Sequence, residues 1–181
     1  MPRHAETRTL PYSPDQLFDL VADVGRYNEF LPWVSAVRIR SDSETEMVAD
    51  LVVGFKALRE KFTSRVAKQR PHAITVDYVD GPLKYLRNDW RFRPDGKGGT
   101  IVDFAVDFAF KNRLFEMLAG QVFDKALRKM TDAFEARAAV LYGPVSGDGI
   151  SGAGLSGDQP SGGVAAAGTD GISSSSAHSA A

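Results

Sequence analysis

From Val37 to Phe110 apolar and polar residues alternate with a period of two, and that pattern leaves few folds open. The clearest run has Val102, Phe104, Val106, Phe108 and Phe110 on one face, with Asp103, Ala105 and Asp107 on the other. Met47, Ala49, Leu51, Val53 and Phe55 alternate in the same way with Val48, Asp50, Val52 and Gly54. Leu58, Phe62 and Val66 alternate with Arg59, Lys61, Thr63 and Arg65, and Ile74, Val76 and Tyr78 with Thr75, Asp77 and Val79. Leu86, Trp90 and Phe92 alternate with Arg87, Asp89, Arg91 and Arg93. Successive side chains of a strand point to opposite faces, so these runs predict an antiparallel sheet with one wet and one dry face. The gaps are short, and 94–99 (Pro-Asp-Gly-Lys-Gly-Gly) is rich in turn formers, so neighbouring runs should pair as a meander. Residues 5–10 read as an additional first strand.

A dry face of that size needs a cover. Asn112 to Tyr142 supplies it as one long helix: Leu114, Phe115, Leu118, Val122, Ala126, Met130 and Phe134 recur at helical spacing, and Phe123, Leu127, Ala138 and Leu141 widen the stripe. Asn112 is a good N-cap, and Gly143-Pro144 stops the helix. At ~1.5 Å per residue it is about 45 Å long. Asp124, Lys125, Arg128, Lys129, Asp132 and Glu135 form its wet face.

Between the first strand and the sheet, Ser13 or Asp15 caps a short helix with Pro14 in its first turn; Leu17, Phe18, Leu20, Val21 and Val24 mark it and Gly25 ends it. The cluster Tyr27-Asn28-Glu29-Phe30-Leu31-Pro32-Trp33-Val34 follows. It reads either as a core-capping second helix and turn, or as the mouth of a pocket lined by Phe30, Leu31 and Trp33. The expected fold is α+β: a curved antiparallel sheet wrapped around a long C-terminal helix, with two short helices after the first strand, in the helix-grip style.

Residues 143–181 are mostly Gly, Ser and Ala, without Lys, Arg or an aromatic residue, and read as a disordered tail after a domain at 1–142. The chain holds 22 basic and 23 acidic residues; three of the acids lie in the tail, so the domain carries +2.

Composition narrows the chemistry. With no cysteine, thiol catalysis and thiolate metal sites are excluded. Of three histidines, His4 and His178 lie near the chain ends and His72 follows Pro71 in a strand-to-strand turn, so neither a histidine metal centre nor a histidine base in a pocket is expected. Asp77, Asp103 and Asp107 fall on the wet face, to be paired with Arg59, Lys61, Arg65 or Arg91. Without an inward histidine or an inward acid pair, an enzyme is not the expected reading. The N-terminus has no apolar signal region and no apolar run is long enough to span a membrane, so a cytoplasmic protein is the expectation.

The dry face offers three polar exceptions: Ser64, Tyr78 and Asn88. Either they bond locally, or they orient a carbonyl or hydroxyl head group in an apolar pocket. Gly120, in mid-helix, fits close packing or room for a ligand. Lys125, Arg128 and Lys129 on the helix, and Lys84, Arg87, Arg91 and Arg93 on one strand, are the candidate nucleic-acid contacts, but acids are mixed among them.

Tyr27-Asn28-Glu29-Phe30-Leu31-Pro32-Trp33, with Gly81-Pro82-Leu83-Lys84-Tyr85-Leu86-Arg87-Asn88-Asp89-Trp90-Arg91-Phe92, resembles the coenzyme Q-binding START-like family, which includes bacterial RatA-type ribosome-association toxins. Val34 stands where that family often has cysteine. The resemblance covers roughly residues 1–142 and implies a tunnel between sheet and last helix. It implies non-enzymatic binding of ubiquinone or a similar isoprenoid lipid as ligand, with no cofactor, in support of respiration. Phe30, Leu31, Trp33, Trp90, Phe104, Phe108, Leu118 and Val122 are the expected wall residues. Ser64, Tyr78 and Asn88 are expected near the head group. The alternative partner is the large ribosomal subunit, through Lys125, Arg128 and Lys129. A lipid carrier must also visit a bilayer, at the inner face of the cell membrane, and Phe30-Leu31-Pro32-Trp33 is the expected exposed contact loop.

Overall fold

The structure, a computed structural model, describes residues 3–55 and 58–143; within these the side chains of Phe55, Leu58, Phe115 and residues 118–122 lie outside the description. The expected tail beyond 143 also lies outside the described residues.

Seven strands form one antiparallel sheet: β1 (Arg3–Leu10), β2 (Val34–Asp42), β3 (Glu46–Phe55), β4 (Leu58–Gln69), β5 (Ala73–Asp80), β6 (Leu83–Pro94) and β7 (Thr100–Phe110). Their spatial order is β1-β7-β6-β5-β4-β3-β2. Six consecutive strands thus make the expected meander, and β1 returns to pair with the last of them. The register puts Trp90 opposite Phe104, Val76 opposite Asn88, and Ser64 opposite Tyr78. Two turns show why the chain folds this way locally. Asp95 accepts from the Lys97 and Gly99 N–H groups at 2.7 and 2.9 Å, closing the β6–β7 hairpin. Gly81 has φ 139, and a Cβ there would sit 2.9 Å from the Lys61 carbonyl oxygen, so the β5–β6 turn tolerates only glycine without a shift.

Helix α1 (Pro14–Ala22) starts with a capping box: the Gln16 N–H donates to Ser13 Oγ at 3.2 Å, and the Ser13 N–H donates to Gln16 Oε1 at 3.0 Å. Ser13, not Asp15, is therefore the cap. The helix stops at Ala22, before Gly25, which lies in a 3-10 turn (Val24–Arg26) leading into α2 (Tyr27–Phe30). Helix α3 (Arg113–Tyr142) is capped by Asn112, whose side chain accepts from the Leu114 N–H at 2.9 Å.

The buried stripe of α3 differs from the expected one. Leu127, Thr131, Phe134 and Ala138 are buried, whereas Leu114 is 63% and Leu141 47% exposed. Steps of four residues drift by about 40° each, so a stripe run from 114 to 134 in fours cannot stay on one face. Mixed steps of four and three, as at 127, 131, 134 and 138, do stay. The side chains of Leu118 and Val122, and the surroundings of Gly120, lie outside the described residues. No helix among the described residues is long and apolar enough to cross a membrane.

Candidate functional site

Helix α3, helix α1 and the inner faces of β1, β6 and β7 meet around a cleft. Its walls are Leu10, Leu17, Leu20, Val21, Trp90, Phe92, Val102, Phe104 and Phe134; Glu6, Arg8, Thr131 and Glu135 form the polar side. Counting its mouth, the cleft holds about 430 Å³ of empty space, but only about 30 Å³ has room for water. That suits two or three waters at ~10–15 Å³ each. The rest is filled by rings. Trp90 lies 4.6 Å from Phe104 and 5.1 Å from Phe134, centroid to centroid, and Phe134 in turn packs edge-on against Phe30 and Tyr27 at 5.1 and 5.3 Å. An open tunnel, implied by the family resemblance, is not seen at this cleft.

The polar side comes from β1. Even-numbered residues of this strand face inward, so His4, Glu6 and Arg8 share a face with Leu10. Arg8 donates to Glu6, to Asp132 (2.8 Å) and to Glu135 (2.9 Å), tying the strand to α3. Thr131 Oγ1 is 3.1 Å from Glu6 Oε2, and His4 Nε2 is 3.5 Å from the same oxygen. Burial opposes ionisation of Glu6, but the Arg8 bond and charge, with His4 and Thr131, outweigh it and hold the carboxyl below its usual range. Burial likewise works against the Arg8 charge, and the bonds from Glu6, Asp132 and Glu135 overcome it, raising the guanidinium's pKa.

This corner corrects the expected absence of an inward histidine and adds a single inward acid, Glu6. His4 is inside the fold, its ring 6.3 Å from Phe104 and its side chain 15% exposed. Because the strand's inward residues are polar, alternation of hydrophobicity alone did not reveal them; the parity shared with Leu10 is the signal that does. His72, as expected, is an exposed turn residue.

The other expected site residues are distributed unevenly. Trp90 and Phe104 line the cleft. Phe108 is buried deeper, 3.8 Å from the Phe123 ring. Phe30 reaches the cleft only through Phe134. Leu31 is 3% exposed and Trp33 is half-buried, so the 30–33 segment is packed on the core rather than exposed as a contact loop. The reason is α2, which Arg137 on α3 holds down through a 2.6 Å bond to Glu29. Asn88 is spoken for: its amide donates to the Ala105 carbonyl at 3.1 Å and its oxygen accepts from the Trp90 indole at 2.7 Å. The Tyr78 hydroxyl accepts from the Leu83 N–H at 3.1 Å, and burial raises its pKa. Ser64 is buried at 1% exposure across from Tyr78.

The wet face carries charges as expected, with different pairings. Asp77 meets Arg87 at 3.6 Å, Asp103 meets Arg93 at 2.8 Å, and Asp107 accepts from the Tyr85 hydroxyl at 3.0 Å. Asp50, which parity places on this face, is only 3% exposed. The Thr63 hydroxyl donates to it at 2.7 Å; that bond first, then Arg40 and Lys61, hold its carboxyl below the usual range against the cost of burial.

Residues 10–135 match the model of the family described as polyketide cyclase / dehydrase and lipid transport. The chain is 39% identical over 136 residues to the ribosome association toxin RatA of Rickettsia prowazekii, covering 73% of this chain and 92% of that one. It is 35% identical over 144 residues to the mitochondrial coenzyme Q-binding protein COQ10 homolog B of Xenopus laevis, covering 77% of this chain and 59% of that one. Among solved structures, the 18 kDa protein CC1736 of Caulobacter crescentus superposes with a TM-score of 0.65 at 43% identity, over 80% of this chain and all of that one.

Proposed function

Because the chain belongs to the polyketide cyclase / dehydrase and lipid transport family, we propose that it is a lipid-binding module. Its ligand is ubiquinone or a similar isoprenoid lipid, held between the sheet and α3 in support of respiration. The observation that carries this reading is the cleft itself: nine apolar wall residues from five elements and one polar corner. Apolar walls retain a polyprenyl chain at about 0.8 kcal/mol per buried CH₂. Arg8 and Thr131 bring donors to the polar corner, where a quinone carbonyl accepts.

The small void means that the ligand enters by displacing rings. The C-terminal half of α3 is tied down by Arg8, by Arg137 and by the Tyr142 hydroxyl, which donates to the Gln16 carbonyl at 2.8 Å. On this reading the ligand enters beside the first turns of α3, where Leu114 and Met117 are exposed. Binding proceeds without chemical change. A general base needs a pKa near the working pH, and Glu6, bonded to Arg8, is held below its usual range. On this reading the protein works in the cytoplasm and meets the inner face of the membrane when it exchanges lipid.

Titration with a short-chain ubiquinone, followed by tryptophan fluorescence, tests the reading. Saturable one-to-one quenching that disappears in Trp90→Phe, with Trp33 left as the remaining fluorophore, is expected. A merely linear inner-filter loss, equal in both proteins, would show the core to be filled and closed.

A second reading is association with the large ribosomal subunit. It is favoured by the name of the Rickettsia prowazekii relative, a ribosome association toxin similar over 92% of its length. One protein can carry both activities, since the cleft and the outer surfaces are separate.

A further inference from the structure

We propose that the outer face of β2–β4 is a trough for the phosphodiester backbone of folded RNA, an inference that rests on the ribosome reading. The floor is β3. Its outward residues are Val48, Asp50, Val52 and Gly54, all buried or half-buried. On one side β4 projects Arg59, Lys61 and Arg65, which pair in register with Gly54, Val52 and Val48. On the other side β2 brings Arg38, opposite Asp50, and Arg40 in the bulge beside it. All five cations are exposed. Neighbouring strands lie ~4.8 Å apart, so the two cationic rails are about 10 Å apart, and cations two residues apart on one rail are ~6.7 Å apart. A single backbone strand lying along β3 meets positive charge from both sides.

Asp50 is the centre of this arrangement. A carboxylate on the outer face of a sheet, with no helix or second sheet over it among the described residues, would ordinarily be wet. This one is 3% exposed, and Thr63 beside it 6%. It is covered by the rails: Arg40 Nε donates to it at 2.8 Å, and Lys61 Nζ lies 3.7 Å away. Its role is structural, since it uses the Nε of Arg40 and leaves the two terminal nitrogens of the guanidinium without a partner among the described residues. Those are the groups that grip a phosphate in a forked pair. Arg38 and Arg59 have no acidic partner among the described residues, and Arg65 is 3.7 Å from Glu46. The carboxylates at the trough, among the described residues, are Asp50 beneath it, Glu46 at its end and, on β5, Asp77 opposite Arg65 and Asp80 opposite Thr63: four acids against five cations.

The surface expected from sequence compares poorly. Lys125, Arg128 and Lys129 on α3 share their exposed face with Asp124, Asp132 and Glu135, which leaves no excess charge. On β5–β7, Arg87 and Arg93 are paired with Asp77, Asp89 and Asp103. Among the described residues, cations outnumber acids on the β2–β4 face, five to four.

The full chain is sedimented with purified large subunits and with protein-free large-subunit RNA between 50 and 200 mM salt. Arg38→Glu/Arg59→Glu/Arg65→Glu is compared with Lys125→Glu/Arg128→Glu/Lys129→Glu, with the milder Arg→Gln form of the first triple included in case charge reversal lowers the melting temperature. The trough variants should bind at least about tenfold more weakly than wild type, with a log–log salt slope smaller by about 2–3, since each phosphate contact contributes ~0.7–0.9. The helix variant should bind as wild type does. Undiminished binding by folded trough variants, or loss confined to the helix variant, overturns the trough and leaves the ribosome reading standing. If wild type does not sediment with subunits or RNA, that reading fails and the trough falls with it. Should the trough substitutions abolish flotation with anionic vesicles while ribosome binding persists, the face is a membrane contact and the RNA assignment is wrong.

Discussion

Replacing Arg8 with methionine tests the polar corner directly, because the substitution keeps the stem and removes the charge. In the wild type Arg8 reaches Glu6, Asp132 and Glu135. The Asp132 and Glu135 side chains are 66% and 49% exposed, so solvent screening leaves those pairs at ~0–1 kcal/mol each. Glu6 is 21% exposed and loses its main partner. Breaking a fully buried pair costs ~3–5 kcal/mol; for a corner still in reach of water, and with Thr131 remaining, about 2–3 kcal/mol in all is expected near pH 7. The pH dependence is the sharper readout. With Arg8 present the folded Glu6 pKa lies below the unfolded value of 4.5. Its stabilisation is therefore fully present above that pH and lost as the pH falls through the lowered folded value. Without Arg8, burial dominates and the folded pKa rises above 4.5. The variant should then gain stability relative to wild type as the pH drops from 8 to 5, so that the gap narrows. Urea melts at pH 5, 6.5 and 8 measure this. The double variant Arg8→Met/Glu6→Gln should recover much of the loss at pH 8. A gap that is constant across pH, or a double variant no more stable than the single, refutes the account of the corner.

Asp50→Asn should cost about 1–3 kcal/mol at pH 7, since a buried acceptor loses its charge and one of the two oxygens that bond Thr63 and Arg40; the folded Asp50 pKa is depressed, so the cost should fade as the pH drops through it, read by melts from pH 7 to 3. Gly81→Ala should destabilise by more than ~1 kcal/mol, because φ is 139 and the new Cβ meets the Lys61 carbonyl at 2.9 Å; an unchanged midpoint in urea would contradict this. Trp90→Ala should cost ~3–5 kcal/mol as it removes the centre of the ring cluster, while Trp90→Phe keeps the fold.

Strand pattern and helix ends were legible because they are local. Alternation fixed the faces of β3 to β7, Asn112 announced the start of α3, and the turn formers at 94–99 marked the last hairpin. What failed had non-local causes. The inward polar face of β1 looked like surface because His4, Glu6 and Arg8 are satisfied by each other and by Thr131, Asp132 and Glu135, over 120 residues away in the chain. Leu114 lies off the buried face of α3 because spacing by fours drifts around the helix, and Leu141 is exposed in its last turn. The 30–33 segment reads as exposed from sequence because Phe30 is packed by Phe134 of α3, a partner the local sequence does not show. Asp50 read as a wet residue because the cover provided by Arg40 and Lys61 depends on the register of three strands.

The central claim, that this fold holds an isoprenoid quinone, is tested most directly by organic extraction of the purified full chain, followed by mass spectrometry and an ultraviolet scan before and after borohydride. The account predicts a lipid quinone in stoichiometric amount, or its uptake after incubation with ubiquinone, with the quinone band bleaching on reduction. A blank extract that stays blank after incubation would contradict it.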